Sequence, residues 1–210
     1  MNMQIKEFFK KYLFTLKINT VTKIVLTKEL KEQFKRLKQG IVLDVGSKFA
    51  PYKEQIPHTK YMNLDINPGV KPDIISDIHK VKWQSNYFDT IIATEILEHC
   101  YSPEKAVNKI HKLLKREGVC VLSTRFIYIY HPDPKDYYRF TEDALKYLFK
   151  EFNQVEIYPH GDRLKVFWEI INPSYKKIRI ILNILNPLIA NFRDSKNSKY
   201  FLGFVVYAKK

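Results

Sequence analysis

The sequence predicts an α/β fold built on a mostly parallel sheet with helices on both faces. The first observation is the apolar run from Ile41 to Val45, which passes through Asp44 into Gly46 and is typical of a buried parallel strand that enters a tight turn. The second is a short strand that ends in Asp65. Further predicted strands at 87–93, 119–125 and 154–159 are separated by helical segments, which favours a layered α/β domain.

The ends of the first two strands indicate a nucleoside site. In such sheets the ligand lies beyond the carboxyl ends of the strands. Gly46 lets the backbone approach the ligand closely, and an acid at the tip of the next strand, Asp65, accepts hydrogen bonds from both ribose hydroxyls. Asp44, placed before the glycine, repels a pyrophosphate but suits a cationic ligand.

Four further segments follow in chain order: 73–78 (DIISDI), 87–93 (YFDTIIA), 95–99 (EILEH) and 113–124 (LLKREGVCVLST). Over residues 40–160 this series resembles the class I S-adenosylmethionine (SAM) dependent methyltransferases, of the methyltransferase type 11 kind. The resemblance implies a Rossmann-like sheet of seven strands, with an antiparallel last strand at 201–208.

The resemblance also implies SAM as the cofactor and a set of residues that bind it. It assigns Asp44 and Gly46 to the methionine half and Asp65 to the ribose. The adenine base is assigned to Ile66, Asp77 and Ile78.

Two histidines are candidate catalytic bases. Methyl transfer from a sulfonium needs alignment of donor and acceptor, and removal of a proton when the acceptor must lose one. His99 and His131 lie on predicted loops beyond the strand ends, although a lone histidine is as often structural. Glu95, Glu98 and His99 are also residue types that bind divalent metals, but E-x-x-E-H is common in relatives regarded as metal-free, and no metal site is predicted.

The turn after the first strand departs from the family pattern D-x-G-x-G-x-G. Of its three glycines only Gly46 is present, and Lys48 and Ala50 occupy the other two positions. We expect Lys48 to need a different local path, and its long stem to carry the ammonium to water. The alternative is a non-catalytic scaffold or binding protein with a degenerate SAM pocket.

The segment 131–141 (HPDPKDYYRFT) is predicted to be a loop on the acceptor side, because its prolines hold the backbone extended and Thr141 caps the next helix. It resembles a loop in a subgroup of methyltransferases associated with bacterial cell-surface saccharides. A small-molecule or saccharide acceptor is therefore expected, with Tyr138 and Arg139 binding its sugar or phosphate. The alternative is that these side chains fix the loop to the core.

The chain has 210 residues and a formal charge of +14. Residues 41–160 hold 16 basic and 16 acidic residues, whereas 1–40 and 161–210 each hold 10 basic and 3 acidic residues. The excess therefore lies in the flanks and indicates either contact with an anionic membrane surface or a Lys-rich solvated surface. An RNA methyltransferase is a further alternative, but nucleic acid is not favoured because the basic residues do not line the predicted cleft.

The predicted organisation is a basic helical extension over 1–40, with amphipathic helices at 4–16 and 22–38, and a methyltransferase domain over 41–210 with a helical insertion at 160–200. Two cysteines and the lack of a leader pattern predict a cytoplasmic setting, peripheral to the membrane if the flanks bind it. The apolar segment 178–192 is too short and interrupted to span a bilayer. Docking on the domain, homodimerisation and a membrane interface are its alternatives.

Overall fold

The computed structural model describes residues 20–171, 185–195 and 197–210. Seven strands form one sheet in the order β3-β2-β1-β4-β5-β7-β6, in which β7 is antiparallel to both of its neighbours and the other pairs are parallel. The strands are β1 (Ile41–Val45), β2 (Lys60–Asp65), β3 (Ile74–Ile75), β4 (Phe88–Thr94), β5 (Leu114–Arg125), β6 (Gln154–His160) and β7 (Gly203–Lys209). The predicted fold class is confirmed.

Five α-helices lie in the described residues: α1 (Val21–Phe34), α2 (Pro103–Leu113), α3 (Glu142–Leu148), α4 (Arg163–Ile171) and α5 (Asn186–Asn191). Short 3₁₀ helices are formed by Lys53–Gln55, Pro68–Val70 and Leu97–His99. The predicted helix at 4–16 and most of the segment 178–192 lie outside the described residues.

Helices cover both faces of the sheet because successive strand residues point to opposite sides. On one face, Leu26 and Leu30 of α1 pack in a cluster with Ile92 of β4. On the other, Ile110 of α2 packs in a cluster with Ile91. The buried stripe of the helix predicted at 22–38 therefore packs on the sheet itself.

The boundary between α2 and β5 differs from the sequence prediction. The strand predicted at 119–125 begins earlier, at Leu114, which pairs with Phe88 and directly follows the end of α2 at Leu113. The register then shifts, so that Thr90 pairs with Val119. The extra residues between Leu114 and Val119 bulge from the ladder, and Gly118 lies inside β5 rather than before it.

Candidate functional site

A cleft opens beyond the carboxyl ends of β1, β2 and β4. Five of the six residues predicted to bind the cofactor line it, namely Gly46, Asp65, Ile66, Asp77 and Ile78. The sixth, Asp44, is buried and is not among the lining residues. The remaining lining residues are Val45, Lys48, Leu64, His79, Glu95, Ile96, His99, Cys100, Tyr101, Asp133 and Pro134.

The turn after β1 keeps a left-handed backbone at all three positions where the family pattern has glycine. The φ angles are 67° at Gly46, 50° at Lys48 and 48° at Ala50. The expectation that Lys48 needs a different local path is therefore wrong. Lys48 and Ala50 instead adopt a conformation that is unfavourable for residues with a side chain, because it brings the Cβ atom close to the following carbonyl oxygen. The loss of two glycines thus does not remove the turn.

Ala50→Gly should stabilise the protein by about 0.5–1 kcal/mol. Glycine removes a left-handed backbone strain of roughly 1–2 kcal/mol, but its greater conformational entropy in the unfolded state offsets part of this gain. Urea unfolding measures the difference. The matched control is Ala144→Gly in α3, a helical position, where the same change should destabilise by about 0.5–1 kcal/mol. If both substitutions changed the free energy of unfolding in the same direction, the left-handed assignment at Ala50 would be contradicted.

Asp65 is fixed at the tip of β2 by backbone donors. Its Oδ2 accepts a hydrogen bond of 3.1 Å from the Lys48 amide, and its Oδ1 accepts one of 2.9 Å from the Asn67 amide. The carboxylate is 7% exposed and lines the cleft, and each of its oxygens keeps a further lone pair for a ligand. Ile66, which follows it, presents an exposed apolar side chain to the cleft.

Asp77 is joined to two aromatic residues that the sequence analysis missed. Its Oδ1 lies 2.6 Å from Nδ1 of His79, and the His79 ring stacks on Tyr101 with 4.2 Å between centroids. His79 and Tyr101 both line the cleft. Their closeness to Asp77 and to the segment 95–99 in the sequence was the available signal.

Asp44 lies beneath the turn and accepts a hydrogen bond of 2.5 Å from the Tyr61 hydroxyl. Its Oδ1 has no hydrogen-bond partner among the residues that the structure describes. Burial is the main cause that raises the pKa of Asp44 to about 7, with a smaller contribution from the charge of Asp65. A cation in the cleft would favour the ionised carboxylate.

At the other end of the cleft, His99 and His131 come together. His99 lines the cleft, and the ring centroids of the two histidines are 4.9 Å apart in an edge-to-face arrangement. The segment 131–141 lies over this end, with Asp133 and Pro134 in the cleft wall. Lys48 carries its ammonium to the surface, as expected, and there forms a 2.9 Å ion pair with Asp133.

The predicted acceptor residues hold the loop together. Arg139 donates hydrogen bonds of 2.5 Å and 2.7 Å to the carboxylate of Asp136 and one of 2.9 Å to the carbonyl of Ile129. The guanidinium keeps the pKa of Asp136 well below its usual range. Tyr138 donates a hydrogen bond of 3.3 Å to the carbonyl of Tyr101. These contacts agree with the alternative of a loop-fixing role, and acceptor binding by Arg139 and Tyr138 stays a prediction.

Two acidic residues follow β4 and lie near His99 in sequence. Glu95 has a φ of 55° and forms an ion pair with Arg125. Glu98 is fully buried, and its Oε2 accepts a hydrogen bond of 2.9 Å from the Thr124 hydroxyl. Burial, followed by the charge of Glu95, raises the pKa of Glu98 to about 8. Backbone strain and a buried acid are thus concentrated where the strand meets the cleft.

Comparison with known proteins identifies a matching family and structures that share the fold. A family model described as a methyltransferase domain matches residues 15–122, which is more than half of the chain. None of the curated proteins matches the chain significantly.

Solved structures share the fold at low sequence identity. A SAM-dependent methyltransferase from Archaeoglobus fulgidus has 15% identity and a TM-score of 0.57, covering 87% of this chain and 94% of its own. A chain in the complex between the Haloferax volcanii Trm112 methyltransferase activator and a methyltransferase has 12% identity and a TM-score of 0.59, covering 87% of each chain. Phosphoethanolamine N-methyltransferase 2 from Haemonchus contortus, solved with SAM, has 13% identity and a TM-score of 0.57, covering 85% of this chain and 50% of its own.

Proposed function

The chain belongs to the methyltransferase domain family, and we propose that it is a SAM-dependent enzyme that methylates a small-molecule or saccharide acceptor. The observation that carries the proposal is a single cleft that unites Gly46, Asp65 and Asp77 at one end with His99 at the other. The first three offer what a nucleoside with a positive charge needs: close backbone approach and two carboxylates.

The residues present fit SAM, which supplies a methyl group on a positively charged sulfur when bound. The fixed carboxylate of Asp65 would accept hydrogen bonds from the ribose hydroxyls. Ile66 and Ile78 would pack against the base, and Asp77 would accept a hydrogen bond from its exocyclic amine. Gly46 would lie against the methionine half, Asp44 would act on it through its charge from beneath the turn, and His99 or His131 would take the acceptor proton.

Calorimetry with SAM on the purified protein tests the proposal directly. We expect one SAM per chain. No binding would overturn the enzyme proposal and favour the non-catalytic scaffold. Release of S-adenosylhomocysteine with a panel of free sugars and nucleoside-diphosphate sugars then tests the acceptor class. Activity on small non-sugar hydroxyl or amine compounds alone would exclude the saccharide part.

SAM binding should release protons near pH 6.5. Asp44 has a pKa of about 7 and is largely protonated at that pH, and the cationic ligand lowers this pKa so that the carboxyl ionises. The release fades above about pH 8, where Asp44 is already ionised. Binding enthalpies in phosphate and Tris at pH 6.5 measure it. The two values should differ for the native protein and converge for Asp44→Asn. Equal enthalpies for the native protein would contradict the prediction.

We also propose peripheral contact with an anionic membrane. The charge excess of +7 in residues 161–210 accompanies exposed apolar side chains on α4 and α5, among them Phe167, Ile170 and Leu188. Cations beside apolar groups favour the interface of an anionic bilayer. Within the described ranges, no helix combines the length and apolar composition needed to cross a membrane.

Co-sedimentation with vesicles tests the contact. Binding to anionic vesicles at low salt should fall about tenfold at high salt and again with Phe167→Ser and Ile170→Ser combined, because both charge attraction and apolar burial contribute. The control is Ile75→Ser, an exposed apolar residue on the edge strand β3. Equal binding to neutral vesicles, or equal loss in the control, would exclude this surface.

A further inference from the structure

The acceptor end of the cleft contains one carboxylate and two imidazoles in a close cluster. One potential ligand atom each from Glu98, His99 and His131 lies within 4.8 Å of the other two. Glu98 and His99 follow β4, whereas His131 comes from the loop after β5, so the cluster forms only when this loop folds back over the strand ends. We propose that these three side chains bind a divalent transition-metal ion beside the SAM site.

Glu98 supplies the first independent support. It is fully buried, and although its Oε2 is paired with Thr124, its Oε1 has no hydrogen-bond partner among the residues described. A buried carboxylate with an oxygen that accepts no hydrogen bond is costly to ionise. A metal ion would satisfy the free oxygen and balance the charge.

The two histidines are oriented as metal ligands usually are. Nδ1 of His99 lies against the carbonyl oxygen of Lys135, and Nδ1 of His131 lies 3.2 Å from the carbonyl oxygen of Ile129 and 3.3 Å from Oδ2 of Asp136. Acceptors at Nδ1 place the ring proton there and leave Nε2 with a free lone pair. A histidine that binds a metal commonly donates its other N–H to a carbonyl or carboxylate in this way.

The donor set selects the class of metal. Two imidazole nitrogens and one carboxylate suit Zn²⁺, Mn²⁺, Fe²⁺ or Co²⁺, whereas Mg²⁺ and Ca²⁺ favour all-oxygen sites. Ligands lie about 2.0–2.2 Å from Zn²⁺, so the three side chains would move closer together on binding. Three protein ligands leave coordination positions open.

Open coordination positions would let the cation bind an acceptor with oxygen ligands, such as the neighbouring hydroxyls of a saccharide. This role rests on the proposed function, whereas the site itself does not. In this arrangement His99 and His131 hold the cation instead of removing the proton.

Titration of the tag-free, chelator-treated protein with Co²⁺, followed by visible absorption, tests the site, with Zn²⁺ and Mg²⁺ as competitors. We expect one Co²⁺ per chain, displaced by Zn²⁺ but not by Mg²⁺. Glu98→Gln, His99→Ala and His131→Ala should each weaken Co²⁺ binding at least tenfold. The control, His58→Ala, removes a histidine outside the cluster and should bind Co²⁺ as the native protein does.

SAM calorimetry on the same preparations separates the two proposals. Native protein that binds SAM but no Co²⁺ would overturn the metal site and leave the proposed function standing. Native protein that binds Co²⁺ but no SAM would overturn the proposed function and leave the metal site standing. Glu98→Gln keeps the size of the side chain, so a variant that binds SAM but loses Co²⁺ supports the site without a change in fold. Retained Co²⁺ binding in all three variants would overturn it.

Discussion

Asp65→Ala should weaken SAM binding at least tenfold, which corresponds to roughly 1–3 kcal/mol. The Asp65 carboxylate lines the cleft and is held there by amides of Lys48 and Asn67, so it meets a ribose without reorganisation. Truncation removes two charge-assisted hydrogen bonds to the ribose hydroxyls. Calorimetry on the folded variant measures the loss.

The matched control for this substitution is Asp73→Ala. Asp73 also accepts a hydrogen bond from a backbone amide, that of Asn63, but it is not among the residues that line the cleft. Its variant should bind SAM with native affinity. Unchanged affinity in Asp65→Ala, or an equal loss in Asp73→Ala, would exclude Asp65 as the ribose ligand.

Gly46→Ala should destabilise the protein by about 2–5 kcal/mol. A Cβ at Gly46 would lie 2.4 Å from Cγ2 of Ile96, and the φ of 67° is one that alanine rarely adopts. Overpacking costs about 1–3 kcal/mol and a left-handed alanine about 1–2 kcal/mol. Urea unfolding measures the sum, and SAM affinity should fall with it because both residues line the cleft.

A double-mutant cycle identifies the cause. If the contact with Ile96 carries much of the cost, Gly46→Ala combined with Ile96→Ala should lose less than the two single changes together. Gly69→Ala is the control, because its Cβ would meet only the side chain of Asn67, at 3.0 Å or more. Additive losses in the cycle would show that backbone strain alone is responsible.

The sequence was sufficient to predict those parts of the cleft whose position depends only on the order of the strands. Gly46, Asp65 and Asp77 each follow a strand, and the carboxyl ends of parallel neighbours meet at one edge, so their assembly in one cleft could be predicted. The pairing of His99 with His131 could not, because it depends on the path of a loop between distant residues. That path is fixed by Arg139 and Asp136, whose pairing has no periodic signal.

Two local features of the backbone also could not be predicted from the sequence. Lys48 and Ala50 adopt positive φ although their residue types argue against it, because the surrounding strand and cleft contacts determine the turn. The start of β5 could not be predicted, because Lys115, Arg116 and Glu117 are polar residues that are not typical of a strand. They lie in a bulge, where Lys115 forms an ion pair with Asp89.

The ion pair between Lys48 and Asp133 joins the turn after β1 to the loop over the cleft mouth. Both side chains are mostly exposed, so the pair contributes little stability and is screened by salt. A ligand that enters or leaves between them therefore meets a weak barrier. Ionic strength should accordingly change the rates at which ligands exchange more than it changes their affinity at equilibrium.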